Sequence, residues 1–110
     1  MNQGVTTVIY PVKDINQSKL LFEKFLGVEP YADQPYYAGF KVEGQDIGLV
    51  PKNAEGRMTA FYHVDDIKSS LQILLDGGAK IIQEIKNVGG GRLVASAKDT
   101  DDNIIGLIQN

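Results

Sequence analysis

The chain of 110 residues contains one sequence pattern twice, and this internal repeat restricts the folds open to it. The first copy reads TVIYPVKDI from Thr7, and the second reads TAFYHVDDI from Thr59. Each copy is an apolar run ending in Val-x-Asp-Ile, followed by an amphipathic helical pattern and then by glycine. A related phrase follows in each half, DIGLV from Asp46 and IIGLI from Ile104. Such self-similarity predicts one supersecondary unit used twice, with any ligand site between the copies.

The first half of the chain predicts the order β-α-β-β-β. Residues 5–12 are rich in β-forming side chains, Asp14 is placed to cap a helix, and Gly27 is placed to end it. The later segments alternate between strand and turn signals. The predicted strands are 28–31, 36–42 and 47–50, with turns at 32–35 and 43–45.

The second half predicts the same order, with Asp66 as the helix cap and Gly77-Gly78 as the stop. Its later strands are predicted at 80–86, 92–98 and 103–109, with turns at 87–91 and 99–102. The polar segment Pro51–Arg57 lacks periodicity and predicts a linker. We therefore expect a single domain, 1–110, made of two modules at about 4–51 and 58–110.

The composition excludes several classes of function. The chain has no cysteine, which rules out disulfides, thiolate nucleophiles and cysteine-bound zinc. Its net charge of −3 and lack of a basic patch argue against a nucleic-acid partner. No signal peptide is recognised, and no apolar run approaches membrane-spanning length. We expect a cytoplasmic protein with neither membrane nor nucleic acid as partner.

The order and duplication of these motifs resemble the vicinal oxygen chelate superfamily, which includes glyoxalase I, extradiol dioxygenases, fosfomycin-resistance enzymes and bleomycin-resistance proteins. The resemblance covers essentially the whole chain. Its carriers are VKDI from Val12, VDDI from Val64, the GGA helix exit from Gly77 and DTDDNII from Asp99. The last is similar to the family's Asp-Pro-x-Gly-Asn ending, with Thr100 and Asp102 in place of Pro and Gly.

The resemblance implies an α+β fold in which two βαβββ modules curve their mixed sheets into a shared cleft. Many members of the superfamily are dimers, some with modules that combine across chains. We therefore expect a homodimer with a small-molecule ligand. Whether the modules pair within one chain or across two stays open at this point.

The resemblance also implies where a metal would be held. Metal-using members place a His or Gln five residues before the Val of Val-x-Asp and a Glu on the last strand of each module. The corresponding positions here are Thr7, Gly48, Thr59 and Gly106. Threonine hydroxyls are poor ligands for divalent metals and glycine has no side chain. We expect neither a metal nor another cofactor.

Several side chains are candidates for contact with a ligand. His63, the only histidine, shares a strand face with Thr59 and Phe61 because side chains alternate along a strand. It is either a hydrogen-bonded strand histidine, the commoner case, or a ligand contact or general base. The strand aromatics serve either sheet packing or the wall of a cleft. The candidate ligand-binding residues are Thr7, Tyr37, Phe40, Thr59, Phe61, His63 and Arg92.

Two charged segments have a simpler explanation than a ligand site. Arg92 follows three glycines in what is more often a flexible hairpin than a phosphate loop, although it is placed to meet an anionic or carbonyl-bearing ligand. The acidic run at 99–102 lacks the spacing and flanking helices of an EF-hand, so it predicts a turn.

Three functions are compatible with these observations. The first is a metal-independent protein that binds a small apolar or aromatic compound, similar in kind to bleomycin-resistance proteins. The second is a lyase, isomerase or dioxygenase of the same superfamily, with an unusual or absent metal site or with acid–base work by His63. The third is a dimeric accessory domain without a small ligand. The four vacant ligand positions favour the first.

Overall fold

The computed structural model describes residues 2–52 and 56–110, and its contacts divide the chain into two units. The first unit is Thr6–Met58, and the second is Thr59–Asn110 together with the first residues of the chain up to Val5. The predicted linker falls partly at 53–55, outside the described residues. Its first residue, Pro51, is the last residue of a strand.

The first unit has the predicted order of elements. These are β1 (Asn2–Val12), α1 (Ile15–Leu26), β2 (Ala32–Gln34), β3 (Tyr37–Val42) and β4 (Gln45–Pro51). The strands lie in the order β2-β3-β4-β1, with β1 parallel to β4 and the other pairs antiparallel. This is a βαβββ unit with a mixed sheet.

The second unit repeats the arrangement. Its elements are β5 (Thr59–Val64), α2 (Ile67–Asp76), β6 (Lys80–Asn87), β7 (Leu93–Lys98) and β8 (Ile104–Gln109). The order is β6-β7-β8-β5, with β5 parallel to β8 and the other pairs antiparallel. The α+β class and the duplicated βαβββ order predicted from the sequence are confirmed.

The helix ends follow local sequence signals. Asp14 accepts a hydrogen bond from the Gln17 amide at 3.1 Å, and Asp66 accepts one from the Ser69 amide at 3.2 Å. Gly27 ends α1 in the left-handed conformation, with φ of 74°, which glycine adopts without a steric penalty. Within the described ranges, neither helix is long and apolar enough to cross a membrane.

The short strand β2 corrects the sequence prediction. A strand was predicted at 28–31 and a turn at 32–35, but the strand is Ala32–Gln34 and the turn is Pro35-Tyr36. Ladder pairing sets this position, because Ala32 pairs with Gly39 and Gln34 with Tyr37. Strand formation depends on the partner strand more than on local propensity.

Each sheet packs one face against its helix. In the first unit the buried core consists of Ala38, Phe40 and Leu49, which pack with Tyr10, Phe22 and other side chains of the helix side. In the second unit the core consists of Val64, Ile67, Leu71, Ala95, Ala97 and Leu107. We call the opposite side of each sheet its helix-free face. Because side chains alternate, this face carries Ile9 and Gly48 in the first unit and Phe61 and Gly106 in the second.

The strand register is the same in both units. Ile9 pairs with Gly48 between β1 and β4, and Phe61 pairs with Gly106 between β5 and β8. The sequence repeat is therefore also a repeat of residue pairs, so the two units can be compared position by position.

Candidate functional sites on the two units

On the second unit, the ring of Phe61 lies directly over Gly106. A Cβ added to Gly106 would meet the Phe61 Cδ1 atom and would lie 2.7 Å from Cε1. The strands bring this about because the two residues are paired neighbours on β5 and β8. The phenyl ring thus occupies the space into which any side chain at position 106 would project.

On the first unit, Tyr37 covers Gly48 in a related way. A Cβ added to Gly48 would lie 2.7 Å from the Tyr37 hydroxyl oxygen and 2.6 Å from the Ile9 Cδ1 atom. Tyr37 reaches it diagonally, because it stands two residues before Gly39, the β3 partner of Gly48. Aromatic rings therefore cover both glycines at the positions where the resemblance implies a carboxylate.

The residues at the positions where the resemblance implies metal ligands do not fit a divalent metal. Thr7 is only 7% exposed and Thr59 is half-buried, and both offer hydroxyls, which are poor ligands. Gly48 and Gly106 have no side chain, and the rings above them leave no room for one. Among the described residues, no group of three His, Asp or Glu side chains is placed to hold a metal ion.

A polar cluster that the sequence did not single out lies on the first unit. The Tyr31 hydroxyl donates to Asp46 Oδ1 at 2.7 Å and lies 3.5 Å from the Tyr37 hydroxyl. The Asp46 side chain is 14% exposed, and the Lys41 ammonium lies 4.0 Å from its Oδ2 atom. The same ammonium lies 5.3 Å from the centroid of the Tyr31 ring. The cluster places a carboxylate and two phenols together.

The environment of Tyr31 keeps its hydroxyl protonated. Burial of this hydroxyl raises the pKa of Tyr31 far above its usual value, and the hydrogen bonds with Tyr37 and Asp46 raise it further. Tyr31 is thus a hydrogen-bond donor throughout the physiological pH range. Alternation from Gly48 would have placed Asp46 on the helix-free face, but Tyr31 precedes β2 and carries no such signal in the sequence.

Phe40 lies on the other side of the sheet from Tyr37. It is fully buried against α1, and its ring centroid is 6.4 Å from that of Phe22. Phe40 and Tyr37 were both predicted to contact a ligand, but Phe40 is a core residue on the helix side and does not reach the helix-free face. Their sequence positions differ by three, an odd number, so alternation places them on opposite faces.

His63 and Arg92 lie at one end of the second unit. His63 borders a small polar pocket of about 160 Å³ at the ends of β5 and β8, together with Gln3, Asp65, Gln109 and Asn110. Arg92 is exposed and donates from Nε to the Asn110 Oδ1 atom at 2.9 Å. Asn110 thus borders the same pocket as His63 and accepts the hydrogen bond from Arg92, while Phe61 lies two residues earlier on the strand of His63.

The acidic turn is held by its own hydrogen bonds. Asp99 accepts from the backbone amides of Asp101 and Asn103 at 2.9 and 2.8 Å, and from the Asn103 side chain at 3.0 Å. Its carboxylate organises the turn between β7 and β8, as the sequence predicted.

No protein-family model and no curated protein sequence matches the chain. Solved structures do match its fold. A glyoxalase/bleomycin resistance protein/dioxygenase superfamily member from Vibrio splendidus is 18% identical, with a TM-score of 0.75 over 100% of both chains.

Two methylmalonyl-CoA epimerases are similar as well. The Streptomyces coelicolor enzyme, in complex with 2-nitronate-propionyl-CoA, is 11% identical with a TM-score of 0.79, over 100% of this chain and 99% of that chain. The Mycobacterium tuberculosis enzyme is 14% identical with a TM-score of 0.77, over 98% and 88%. The chain shares the fold of these structures, and this is the fold that the sequence resemblance predicted.

Proposed function

We propose that the protein binds a small, largely apolar or aromatic molecule without the help of a metal ion. The observation that carries this proposal is the position of the Phe61 ring over Gly106. In a metal-using relative this position would supply a carboxylate to the metal. Here it is covered by an apolar surface suited to an apolar ligand.

The rings on the helix-free faces have the properties of a binding surface. Phe61 is half-buried, so part of its ring stays accessible after it has covered the glycine. An aromatic pair in offset or edge-to-face geometry contributes about 0.5–1.5 kcal/mol beyond the area that it buries. A planar ligand can gain this contribution against Phe61 on the second unit or against Tyr37 on the first.

Polar groups beside the rings would orient such a ligand. On the first unit these are the Tyr31 hydroxyl and the Asp46 carboxylate, and on the second they are His63 and Thr59. Apolar walls with a few placed polar groups are the usual composition of small-molecule sites. Tyr37, Thr59, Phe61 and His63 thus remain candidates, while Thr7 is too buried to contribute much surface.

The cluster of Tyr31 and Asp46 also favours a second candidate function, metal-free acid–base catalysis. A carboxylate that is 14% exposed and hydrogen-bonded to a phenol is the kind of group that serves as a general base. Under this alternative the protein is an isomerase or lyase, the class to which the epimerases above belong. Asp46→Asn would then abolish turnover of the ligand but leave its binding largely intact.

Binding of aromatic probes in the presence of EDTA tests the proposal. Phenol, indole and benzoate are titrated while amide chemical shifts are followed by NMR, and we expect saturable shifts around Phe61 or Tyr37. If the probe binds to the second unit, Phe61→Ala should weaken its binding. If it binds to the first unit, Tyr37→Ala should do so. Phe25→Ala is the control, because Phe25 is 79% exposed on α1. The absence of binding by all probes, or binding that requires added metal, would contradict the proposal.

A further inference from the structure

A cavity of about 400 Å³ lies in the second unit on the helix side of its sheet. Its wall on α2 is a single stripe at helical spacing, formed by Asp66, Ser69, Ser70, Ile73 and Leu74. Its wall on the sheet is formed by Tyr62, Ile105 and Leu107, with Asn2 also bordering it. Tyr62 alternates with Phe61, so this cavity is separate from the helix-free face discussed above.

The equivalent region of the first unit is filled by aromatic rings. The ring centroids of Tyr10 and Phe22 are 5.2 Å apart, and those of Phe22 and Phe40 are 6.4 Å apart. The three rings form a continuous cluster between α1 and its sheet, and Phe40 within it is fully buried. In this unit the space beside the tyrosine is occupied by the protein itself.

The repeat identifies what replaces these rings in the second unit. Phe22 stands eight residues after the cap Asp14, and Leu74 stands eight residues after the cap Asp66. Tyr10 and Tyr62 each stand four residues before their cap, so both units have a tyrosine at this position. The ring partner of Tyr10 is Phe22, and the residue of the second unit that corresponds to Phe22 is Leu74.

The strand register identifies the second replacement. Phe40 pairs with Ile47 in the first unit, and Ala97 pairs with Ile105 in the second. The second unit therefore has a smaller side chain at both positions: leucine is slightly smaller than phenylalanine, and Ala97 lacks the ring altogether. The space beside Tyr62 is open to solvent, since Ile73 in its wall is 70% exposed, so a small molecule can enter it.

We propose that this cavity is a second small-molecule site, which takes a compound with one aromatic ring and a cationic or hydrogen-bond-donating end. The ring would lie against Tyr62 and Leu74. The donor end would meet the Asp66 carboxylate. The volume falls within the range of about 300–1,000 Å³ for ligand sites and exceeds the roughly 150 Å³ that suffices for benzene in an apolar cavity.

The carboxylate of Asp66 suits this role. Hydrogen bonds from the Ser69 amide and the Ser69 hydroxyl, the latter at 3.0 Å, lower the pKa of Asp66, so it is ionised at neutral pH. An ionised carboxylate only accepts hydrogen bonds, so it favours ammonium and other donor groups and disfavours anionic ones. The site would therefore discriminate between probes of equal size and different charge.

The proposal is tested by methyl NMR with three probes of similar shape: benzylamine, toluene and benzoate. We expect benzylamine to shift the methyl signals of Ile73, Ile105 and Leu107 saturably, and to bind more tightly than toluene or benzoate. Leu74→Phe, which restores the ring found in the first unit, should weaken benzylamine binding by about tenfold or more, a loss of about 1.4 kcal/mol or more. Leu21→Phe is the control, because Leu21 is 63% exposed on α1.

Several outcomes would overturn the proposal. One is the absence of saturable shifts at Ile105 and Leu107 with all three probes, and another is unchanged benzylamine binding by folded Leu74→Phe. Benzoate binding as tightly as benzylamine would overturn the role of Asp66. If Leu74→Phe does not fold, Ser70→Leu narrows the same cavity from α2, and unchanged binding by that variant would be equally decisive. The side chains of Ile105 and Leu107 lie on the helix side of the sheet and that of Phe61 lies on the other side, so the result is independent of the function proposed above.

Discussion

Gly48 and Gly106 each lie beneath an aromatic ring, at the positions where the sequence resemblance implies a metal-ligating carboxylate. Glycine in a strand normally weakens the sheet, because it has no side chain to pack and a higher entropy in the unfolded chain. A neighbouring ring compensates by covering the exposed backbone. Each pair thus places a packed ring where the resemblance implies a metal ligand.

The Phe61–Gly106 pair predicts a strong coupling between two substitutions. Gly106→Ala should destabilise the protein by about 1–3 kcal/mol, because the added methyl group overlaps the ring. Phe61→Ala/Gly106→Ala should cost clearly less than the sum of the two single changes, since the methyl then fills space that the ring has left. Urea unfolding of the four proteins gives the coupling energy. If the two losses of stability were additive, the packing of the Phe61 ring would not depend on the glycine at position 106.

Phe61→Ala by itself should lower the free energy of unfolding by less than the truncation of a fully buried phenylalanine would. Truncation of a fully buried ring to alanine lowers the free energy of unfolding by about 3–5 kcal/mol. The ring of Phe61 is half-buried, so its truncation should lower it by about 2 kcal/mol. Chemical denaturation measures the difference, with the exposed Phe25→Ala as a control that should change stability little. A cost as small as that of the control would mean that the ring contributes no packing.

The residues of the candidate site were predictable to different extents. Phe61 and His63 follow from alternation on a strand that the repeat identifies twice. The prediction for Phe40 was wrong, because Phe40 and Tyr37 are three positions apart on β3 and alternation places them on opposite faces. The contact of Tyr31 with Asp46 depends on the chain path before β2, which no local signal in the sequence specifies.

At the scale of secondary structure, the elements with local signals were the predictable ones. Both helices begin after an aspartate cap and end before glycine. The aspartate side chains accept hydrogen bonds from free backbone amides at the helix start, and glycine adopts the left-handed conformation in which α1 ends. The strand β2 was not predictable, since it exists only by pairing with β3. The glycine-rich hairpin and the acidic turn were both predictable from their composition.

The turn between β7 and β8 predicts a pH-dependent contribution to stability. The Asn103 side chain and the backbone amides of Asn103 and Asp101 lower the pKa of Asp99 below its ordinary 3.8. A carboxylate whose folded pKa is lowered stabilises the fold above its unfolded pKa, and this contribution is lost as pH falls through the folded value.

Asp99→Ala should therefore lower the melting temperature at pH 7, and the difference from the unmodified protein should shrink in acid below the ordinary aspartate range. Thermal unfolding at several pH values measures this. Asp101→Ala is the matched control in the same turn, because the hydrogen bond of Asp101 to Asp99 comes from its backbone amide. A constant difference at all pH values would contradict an electrostatic contribution from Asp99.

At the scale of the whole molecule, the chain shares its fold with proteins that have very different sequences. Structures only 11–18% identical have TM-scores of 0.75–0.79 with it, so the βαβββ pattern persists through extensive sequence change. The fold was predictable because the repeat and its caps specify the order of elements. The ligand was not, because fold alone does not determine function.

We also predict that the protein forms a homodimer. The outer strands β2 and β6 of the two units carry backbone groups that invite pairing, and β6 presents Ile81, a partly exposed apolar residue. The superfamily resemblance supports the same expectation. Sedimentation velocity at tens of micromolar should give twice the 12.0 kDa mass of the chain. A monomer at that concentration would contradict the prediction and leave the fold unaffected.

The central claim, that small molecules are bound without a metal, is tested most directly by elemental analysis and native mass spectrometry of one protein sample purified without chelator. We predict no stoichiometric divalent metal, because threonine and ring-covered glycine stand at the ligand positions, and an added mass that corresponds to an organic compound. About one tightly held metal ion per chain, bound through protein side chains, would contradict the account.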